Sequence, residues 1–493
     1  MQVVVKNFLI KRKELSPKKT AFVFKEKRYT FEELYDEACV YASKIGNVVK
    51  KDAYVGVLME NHERMIFTLL ALQLIGAKAV LLNNRLTITE LMYQLKDANV
   101  SIVLTSSKYE SLLQPVKDCT NVINVETTMG KYPFLIQDEI DLADCCSIMY
   151  TSGTTGFPKG VIQTYGNHYY SAMNSCLNLG ITQEDSWLAS VPMFHISGYS
   201  ILMRSLVYGM KFVLMEKFDS EETIHLIKKE KITMMSVVSI MLNRLEQQLQ
   251  KNELPTYFRC MLLGGGPASL HLLESCKEKN IPVFQSYGMT ETCSQIVTLS
   301  PEDSLRKLGS AGKALFTSQI KIMNELNEVC APNIAGEILV KGPNVTVGYL
   351  HNKRANEEKF QEGWLLTGDI GYLDEEGYLY VLDRRSDLII SGGENIYPAE
   401  IEGVLSILPN VVEAGVIGVA HEQWQEVPIA FVVVKDVVTK QDLVNHCQKH
   451  LAKYKCPTDY IFLENLPRNA SNKLVRAKLK EHYVELCNQK RQS

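Results

Sequence analysis

The chain of 493 residues has no Cys-x-x-Cys pair among its 12 cysteines, and only Cys145 and Cys146 are adjacent. Scattered thiols without that spacing argue against a zinc ribbon or a redox dithiol and leave reduced, buried cysteines as the expectation. Also missing is any uncharged apolar stretch approaching the ~18 residues that a membrane span requires. Charge of one sign is lacking too. Lys plus Arg number 53 and Asp plus Glu 56, a formal net charge of -3, so bulk electrostatics give no reason to expect nucleic acid or an anionic membrane as partner. The N-terminal MQVVVKNFLIKRKELS offers no targeting segment, because Lys6 interrupts its apolar run and Lys11, Arg12 and Lys13 follow it, the reverse of a secretory signal's order. A cytosolic protein with a small-molecule substrate is expected. No internal repeat or low-complexity tract is found.

Two nucleotide-binding signatures are absent as well. A Walker loop needs Gly before its Lys and Ser or Thr after it; in TSGTTGFPKG, residues 151 to 160, Pro158 precedes Lys159 and Gly160 follows. The run Leu263-Gly264-Gly265-Gly266-Pro267 does not continue as the dinucleotide fingerprint G-x-G-x-x-G. His446 and His450 stand at i, i+4, but HCQKH lacks the glutamate of a metalloprotease helix and reads as a solvated face. What the 151 to 160 stretch does have is hydroxyls at Thr151, Ser152, Thr154 and Thr155, glycines at 153, 156 and 160, and the cation of Lys159. Glycines free the backbone to turn its N–H groups inward, and such a loop cradles the oxygens of a polyphosphate. A polar turn after Ile148, Met149 and Tyr150 is the alternative that this stretch alone leaves open.

A chain this long exceeds one ordinary core, so two or more domains are expected. Apolar runs ending in small residues, YVGVLME, KAVLLNN, CMLLGGG and IPVFQSYG, read as strands. Amphipathic stretches between them read as helices, among them Thr30 to Ile45 with a capping box of Thr30 and Glu33. Strands alternating with helices define an α/β fold. From about residue 330 strands shorten around tight turns, with a hairpin at 374 to 377, and after Pro398 come a helix, two strands and a helix over TKQDLVNHCQKHLAKY. The expectation is a large N-terminal domain of several subdomains, residues 1 to 385, and a small α+β domain, residues 386 to 493, with the boundary near Ser386.

TSGTTGFPKG, SYGMTE at 286 to 291, TGD at 367 to 369, RRSDLIISGGENIYPAEIE at 384 to 402 and PRNASNKLVR at 467 to 476 together resemble the acyl-adenylate-forming enzymes, which include acyl-CoA synthetases, amino-acid adenylation domains and luciferases. The motifs occur in that family's order along nearly the whole chain. The resemblance implies ATP, Mg²⁺ and coenzyme A as cofactor and co-substrates, and a carboxylate that is activated as acyl-AMP and then passed to a thiol. It implies that Thr151, Ser152, Gly153, Thr154, Thr155, Gly156 and Lys159 hold the β- and γ-phosphates. Tyr287 would flank adenine, with Gly264, Gly265 and Gly266 admitting the ring. Glu291 is the implied metal carboxylate, since Mg²⁺ shared with phosphates needs one or two protein oxygens. Asp369 and Arg384 would hold the ribose hydroxyls, and Lys473 would steady the attacking carboxylate and the α-phosphate. Ser386 is the implied hinge of a mobile C-terminal domain, and Gly392 and Gly393 would leave room for pantetheine. Asn472 and Asp383 stand where the family has glycine, and Ser386 where many members have Asp or Lys; asparagine accepts a positive φ readily, whereas Asp383 implies a changed turn.

VPMFHISG at 191 to 198 and QSYGMTETCSQIVTL at 285 to 299 look most like the family's menaquinone-pathway branch, which makes 2-succinylbenzoate the implied acid. His195, Ser197, Ser286 and Thr290 are then candidates for polar contacts to the acid, with His195 also implied, beside Lys159, Glu291 and Lys473, as a catalytic residue and Thr290 also implied as a nucleotide contact. A general aryl- or fatty-acyl-CoA synthetase is the alternative enzyme. A carrier-loading adenylation domain is less expected, and a nucleotide-binding regulator without turnover would have no use for intact Lys159, Glu291, Asp369 and Lys473 together. Lys473→Ala is expected to abolish acyl-AMP formation while leaving thiol transfer from supplied acyl-AMP near normal, because the cation is needed only where two anions meet. Equal loss in both half-reactions, assayed in single turnovers, would remove Lys473 from that role.

Overall fold

A computed structural model describes residues 3–151, 158–265, 268, 270–384, 387, 389–391, 394–421, 424–451, 453–469 and 474–492. The mixed α/β architecture is as expected, and all twelve cysteines are free thiols. The helix Phe31–Ile45 starts on the expected capping box, Thr30 accepting from the Glu33 amide and the Glu33 side chain accepting from the Thr30 amide. Its apolar stripe Leu34, Ala38, Ala42 and Ile45 is fully buried.

Among the described residues the strands form two large sheets and two smaller ones. A six-stranded sheet has the order 159–164, 145–151, 78–81, 54–58, 102–105, 121–124, parallel throughout except for its 159–164 edge. Its residues Val55, Val57, Ala79 and Leu81 share one hydrophobic core with the parallel part of a second sheet, through Leu188, Val213, Met235 and Leu262. That second, 14-stranded sheet continues from its parallel part into antiparallel strands that end at Leu379–Arg384 and Gln319–Met323. The hairpin expected at 374 to 377 joins Trp364–Leu373 to Leu379–Arg384, with Gly377 at φ 80° closing it.

Beyond residue 388 a five-stranded sheet builds its own cores, one around Ile389, Ile401, Val432 and Leu443 and one around Ile417, Phe431 and Leu479. The last helix of the expected pair is shorter than its apolar pattern: it spans Lys440–His450, and Leu451 turns to φ −124°, ψ 150° to pack against the Ile389 core. Tertiary packing here overrides helix propensity. Among the described residues no helix is long and apolar enough to cross a membrane.

Nine elements frame the site: β1 (Cys145–Thr151), β2 (Lys159–Thr164), α1 (Tyr165–Leu179), α2 (Ile196–Tyr208), β3 (Cys260–Leu263), β4 (Val283–Met289), β5 (Ser294–Leu299), β6 (Trp364–Leu373) and β7 (Leu379–Arg384). Helix α2 starts where Gly198 lies against the Pro192 carbonyl; a Cβ there would sit 2.3 Å from that oxygen. Backbone on both sides leaves no room to give, so Gly198→Ala is expected to destabilise by about 1–3 kcal/mol. A lowered denaturant midpoint checks this, and an unchanged midpoint would show that the helix can shift.

Candidate active site

Lys159 pairs with Thr151 across the antiparallel β1–β2 ladder, so the two residues form the feet of the connection between them. Ser152, Gly153, Thr154, Thr155 and Gly156 lie outside the described residues. The segment 346–350 runs beside β2, with Ile162 donating to the Gly348 carbonyl (3.0 Å) and Leu350 to that of Gly160 (2.7 Å). That placement brings buried Tyr349 to the loop's base: the Lys159 ammonium stands 5.3 Å from its ring centroid. The same phenol donates to Glu291 Oε1 at 3.0 Å. Burial, reinforced by the Glu291 charge, holds the phenol's pKa well above its usual value and keeps it a donor. One aromatic side chain thus joins the loop cation to the candidate metal carboxylate. Sequence reading missed Tyr349, because its role depends on partners 190 and 58 residues away.

Glu291 sits in a one-turn 3₁₀ segment, Thr290–Thr292, between β4 and β5. Its second oxygen has no hydrogen-bond partner among the described residues, so one oxygen is held and the other is not. No cluster of three His, Cys, Asp or Glu that could hold a metal exists among the described residues. This donor set fits a hard divalent ion bound mainly by phosphate oxygens and water, with a single protein carboxylate.

On the adjoining edge, the Tyr287 hydroxyl donates to Asp369 Oδ2 at 2.8 Å, and Asp369 lies directly opposite Arg384 in the β6–β7 ladder. These three expected nucleotide residues are therefore brought together, although the Arg384 side chain lies outside the described part. Gly264 follows β3, and Gly265 takes φ 87°, a conformation that favours glycine. A Cβ on Gly264 would meet only the Ser286 hydroxyl, at 3.7 Å, so the approach is open. Gly266, Ser386, Gly392, Gly393 and Lys473 lie outside the described residues.

Four residues were expected to reach the acid. His195 is the N-cap of α2, its side chain making no capping bond and its ring packed 4.6 Å from that of Phe194. Ser197 follows in the first turn, half-buried. The Ser286 hydroxyl is already engaged, donating to the Leu263 carbonyl at 2.9 Å. Thr290 uses its carbonyl to accept from the Gln163 amide at 2.9 Å. Two further groups were not read from sequence. Arg204, in α2, is 1% exposed; it donates to the Ser294 hydroxyl at 3.2 Å and lies 4.8 Å from the Trp187 ring centre, while its Nε has no partner among the described residues. Gln295, 3% exposed, has neither amide atom satisfied by them. The signal for Arg204 was a single cation inside the apolar helix ILMRSLV, where a charge has to face something other than core.

A carboxylate and a cation across one phenol, beside a hydrogen-bonded tyrosine and aspartate, are the groups expected around a nucleoside polyphosphate in the adenylate-forming class of enzymes. The chain belongs to the AMP-binding enzyme family, whose pattern it matches over residues 10–350, with the AMP-binding enzyme C-terminal domain over residues 400–473. It is 49% identical over 478 residues to the 2-succinylbenzoate–CoA ligase of Bacillus subtilis (strain 168), covering 96% of this chain and 97% of that one. It superposes at TM-score 0.93 on the O-succinylbenzoate coenzyme A synthetase (MenE) of Bacillus subtilis in complex with ATP and magnesium ion, 48% identical and covering 97% of this chain and 100% of that one. The same score, identity and share of this chain, with 98% of that one, hold for the complex of that enzyme with its acyl-adenylate intermediate OSB-AMP.

Tyr349→Phe removes the bond to Glu291 and keeps the ring beneath Lys159. ATP–pyrophosphate exchange at limiting ATP is expected to fall by about tenfold, the scale of one hydrogen bond to a charged group. Tyr349→Leu also takes away the ring and its attraction for the ammonium, and should fall further by about 0.5–1 kcal/mol. Exchange unchanged in Tyr349→Phe would exclude the phenol from the site.

Proposed function

We propose that this chain is a cytosolic ligase that joins 2-succinylbenzoate to coenzyme A at the expense of ATP, releasing AMP and pyrophosphate. The near full-length similarity to ligases of that name supports the reading, and the buried guanidinium of Arg204 is the observation that carries the choice of acid. Removing an ion from water costs several kcal/mol after relaxation, whereas its contact with Trp187 offsets only about 0.5–2 kcal/mol. The remainder calls for an anion. Among the described residues, none of the hydrogen bonds or ion pairs of Arg204 involves a carboxylate of the protein; in this reading the acid supplies one. An acid with one carboxylate to activate and another to bind meets that demand; a fatty acid or benzoate does not.

In this reading the 151 to 160 loop grips the phosphates that leave, and Tyr287, Asp369 and Arg384 hold the nucleoside. Glu291 would hold Mg²⁺, which when bound would neutralise phosphate charge. Lys473 steadies the carboxylate as its oxygen attacks the α-phosphorus and the bond to pyrophosphate breaks. The acyl-adenylate, with AMP rather than oxide as its leaving group, then yields to the thiol. The small domain beginning near Ser386 swings between the two steps, bringing Gly392 and Gly393 beside the thiol's channel. His195, Ser197, Thr290 and Gln295 offer polar contacts to the acid's ketone and carboxylates.

The test is CoA-thioester formation from 2-succinylbenzoate, benzoate, 4-phenylbutyrate and medium-chain fatty acids. The dicarboxylate should lead in kcat/KM by about tenfold or more for each polar group that a competing acid leaves unbound. Arg204→Met should collapse that preference while leaving the chain folded, since an apolar replacement for a buried ion is often neutral or stabilising. A wild-type preference for a monocarboxylate would reject the acid and leave the ligase class standing.

A further inference from the structure

Four successive carbonyls in the turn that carries Glu291 are received from outside it. Thr290 O accepts from Gln163 Nε2 (2.9 Å), Glu291 O from the Thr346 amide (2.7 Å), Thr292 O from Asn344 Nδ2 (2.9 Å) and Cys293 O from the Ser171 hydroxyl (2.5 Å). The turn needs such holding, because Cys293 and Ser294 take φ 52° and 104°, conformations that L side chains adopt only under constraint.

The Gln163 contact is one link of a closed chain. Ser147 Oγ lies 3.0 Å from Gln163 Oε1 and 3.0 Å from His168 Nε2, and His168 Nδ1 lies 3.1 Å from Cys293 Sγ. Gln163 and Ser147 are fully buried, and His168 and Cys293 are 1% exposed. Burial lowers the imidazole to about 3, so one ring nitrogen donates and the other accepts near pH 7, and the Gln163 amide oxygen can only accept. Only one polarity then satisfies every partner. The Cys293 thiol donates to Nδ1, Nε2–H donates to Ser147, the Ser147 hydroxyl donates to Gln163 Oε1, and the Gln163 amide donates to Thr290 O. The chain leaves the turn at Cys293 and returns to it at Thr290.

We infer that Gln163, aimed by Ser147 and His168, is a positioning residue that fixes Glu291 relative to Lys159, four residues before it on the same strand. This rests on the reading of Glu291 as the metal carboxylate. Gln163 touches no substrate and acts through the Thr290 carbonyl. Removing its donor lets the strained turn relax and moves the carboxylate away from the ion's position without altering any ligand.

The experiment titrates Mn²⁺, a paramagnetic substitute for Mg²⁺, into full-length enzyme holding a non-hydrolysable ATP analogue and reads the ion by EPR. In Gln163→Met, of similar shape but without the amide, half-saturation is expected to rise about tenfold, the lower end of what a residue behind a metal ligand contributes. Ser147→Ala should raise it less and Ser147→Thr, which keeps the hydroxyl, should restore it. The Ser147 pair decides the matter if Gln163→Met does not fold. Half-saturation unmoved in both Gln163→Met and Ser147→Ala overturns the inference, and a rise in Gln163→Met alone overturns the role of the chain behind it. Glu291→Gln separates the two readings: if it leaves Mn²⁺ binding unchanged the metal-carboxylate assignment fails, whereas a rise there with Gln163→Met unmoved refutes only the positioning role.

Discussion

A carboxylate can serve a metal ion only if its backbone stays put while the ligand's charge pulls on it, and here that backbone is a single 3₁₀ turn followed by two residues at positive φ. Alone, such a segment would unwind; strain of this kind costs about 1–3 kcal/mol per residue and persists only where the surroundings over-determine it. The surroundings come from distant parts of the chain. Strand β2 supplies Gln163, helix α1 supplies Ser171, and the segment before Tyr349 supplies Asn344 and Thr346. Each of these elements also has a second attachment. β2 carries Lys159, α1 carries His168, and the 344–350 segment lies along β2 and brings Tyr349 to Glu291. The turn is therefore one place where the six-stranded sheet, through β2, is bonded to the connection between β4 and β5 of the 14-stranded sheet.

What the sequence made legible was local. A capping box four residues long, a hairpin set by one acidic turn and a glycine, and motifs of three to 19 residues all carry their meaning within a window that propensity and spacing can read. Lys159, Glu291, Tyr287 and Asp369 were reachable in the same way, through short motifs in a fixed order, and Thr151 opposite Lys159 follows from the hairpin they sit on. The end of the helix at His450 was not, because a core formed by Ile389, Ile401 and Leu443 draws Leu451 out of helical geometry.

Tyr349, Gln163 and Arg204 escaped for a deeper reason. A tyrosine after Gly348, a glutamine inside a strand and an arginine inside an apolar helix each have an ordinary reading as core or edge residues. Their significance lies in what faces them: Glu291 is 58 residues from Tyr349, Thr290 is 127 from Gln163 and Ser294 is 90 from Arg204. Hydrogen-bond partners at such separations have no periodicity. Only the cost of a charge among apolar residues was visible in advance, and for Arg204 that cost was a usable clue.

Two departures from ordinary folding preference meet in this region: the buried guanidinium of Arg204 and the strained backbone at Cys293 and Ser294. They meet physically as well, since Arg204 donates to the hydroxyl of Ser294, whose φ is 104°. A sequence selected for stability alone would place an apolar side chain at 204 and glycine at 294. Keeping both links the two ends of the reaction through one strand start. The cation proposed to receive the acid's spare carboxylate leans on the residue that closes the turn carrying Glu291, the proposed metal carboxylate. If Arg204 holds the acid as proposed, its bond to Ser294 sets that acid three residues along the chain from Glu291, at the start of the same strand. The bonds behind the turn run through the His168 imidazole, which burial lowers to about 3, so this link of the chain neither gains nor loses a proton near neutral pH.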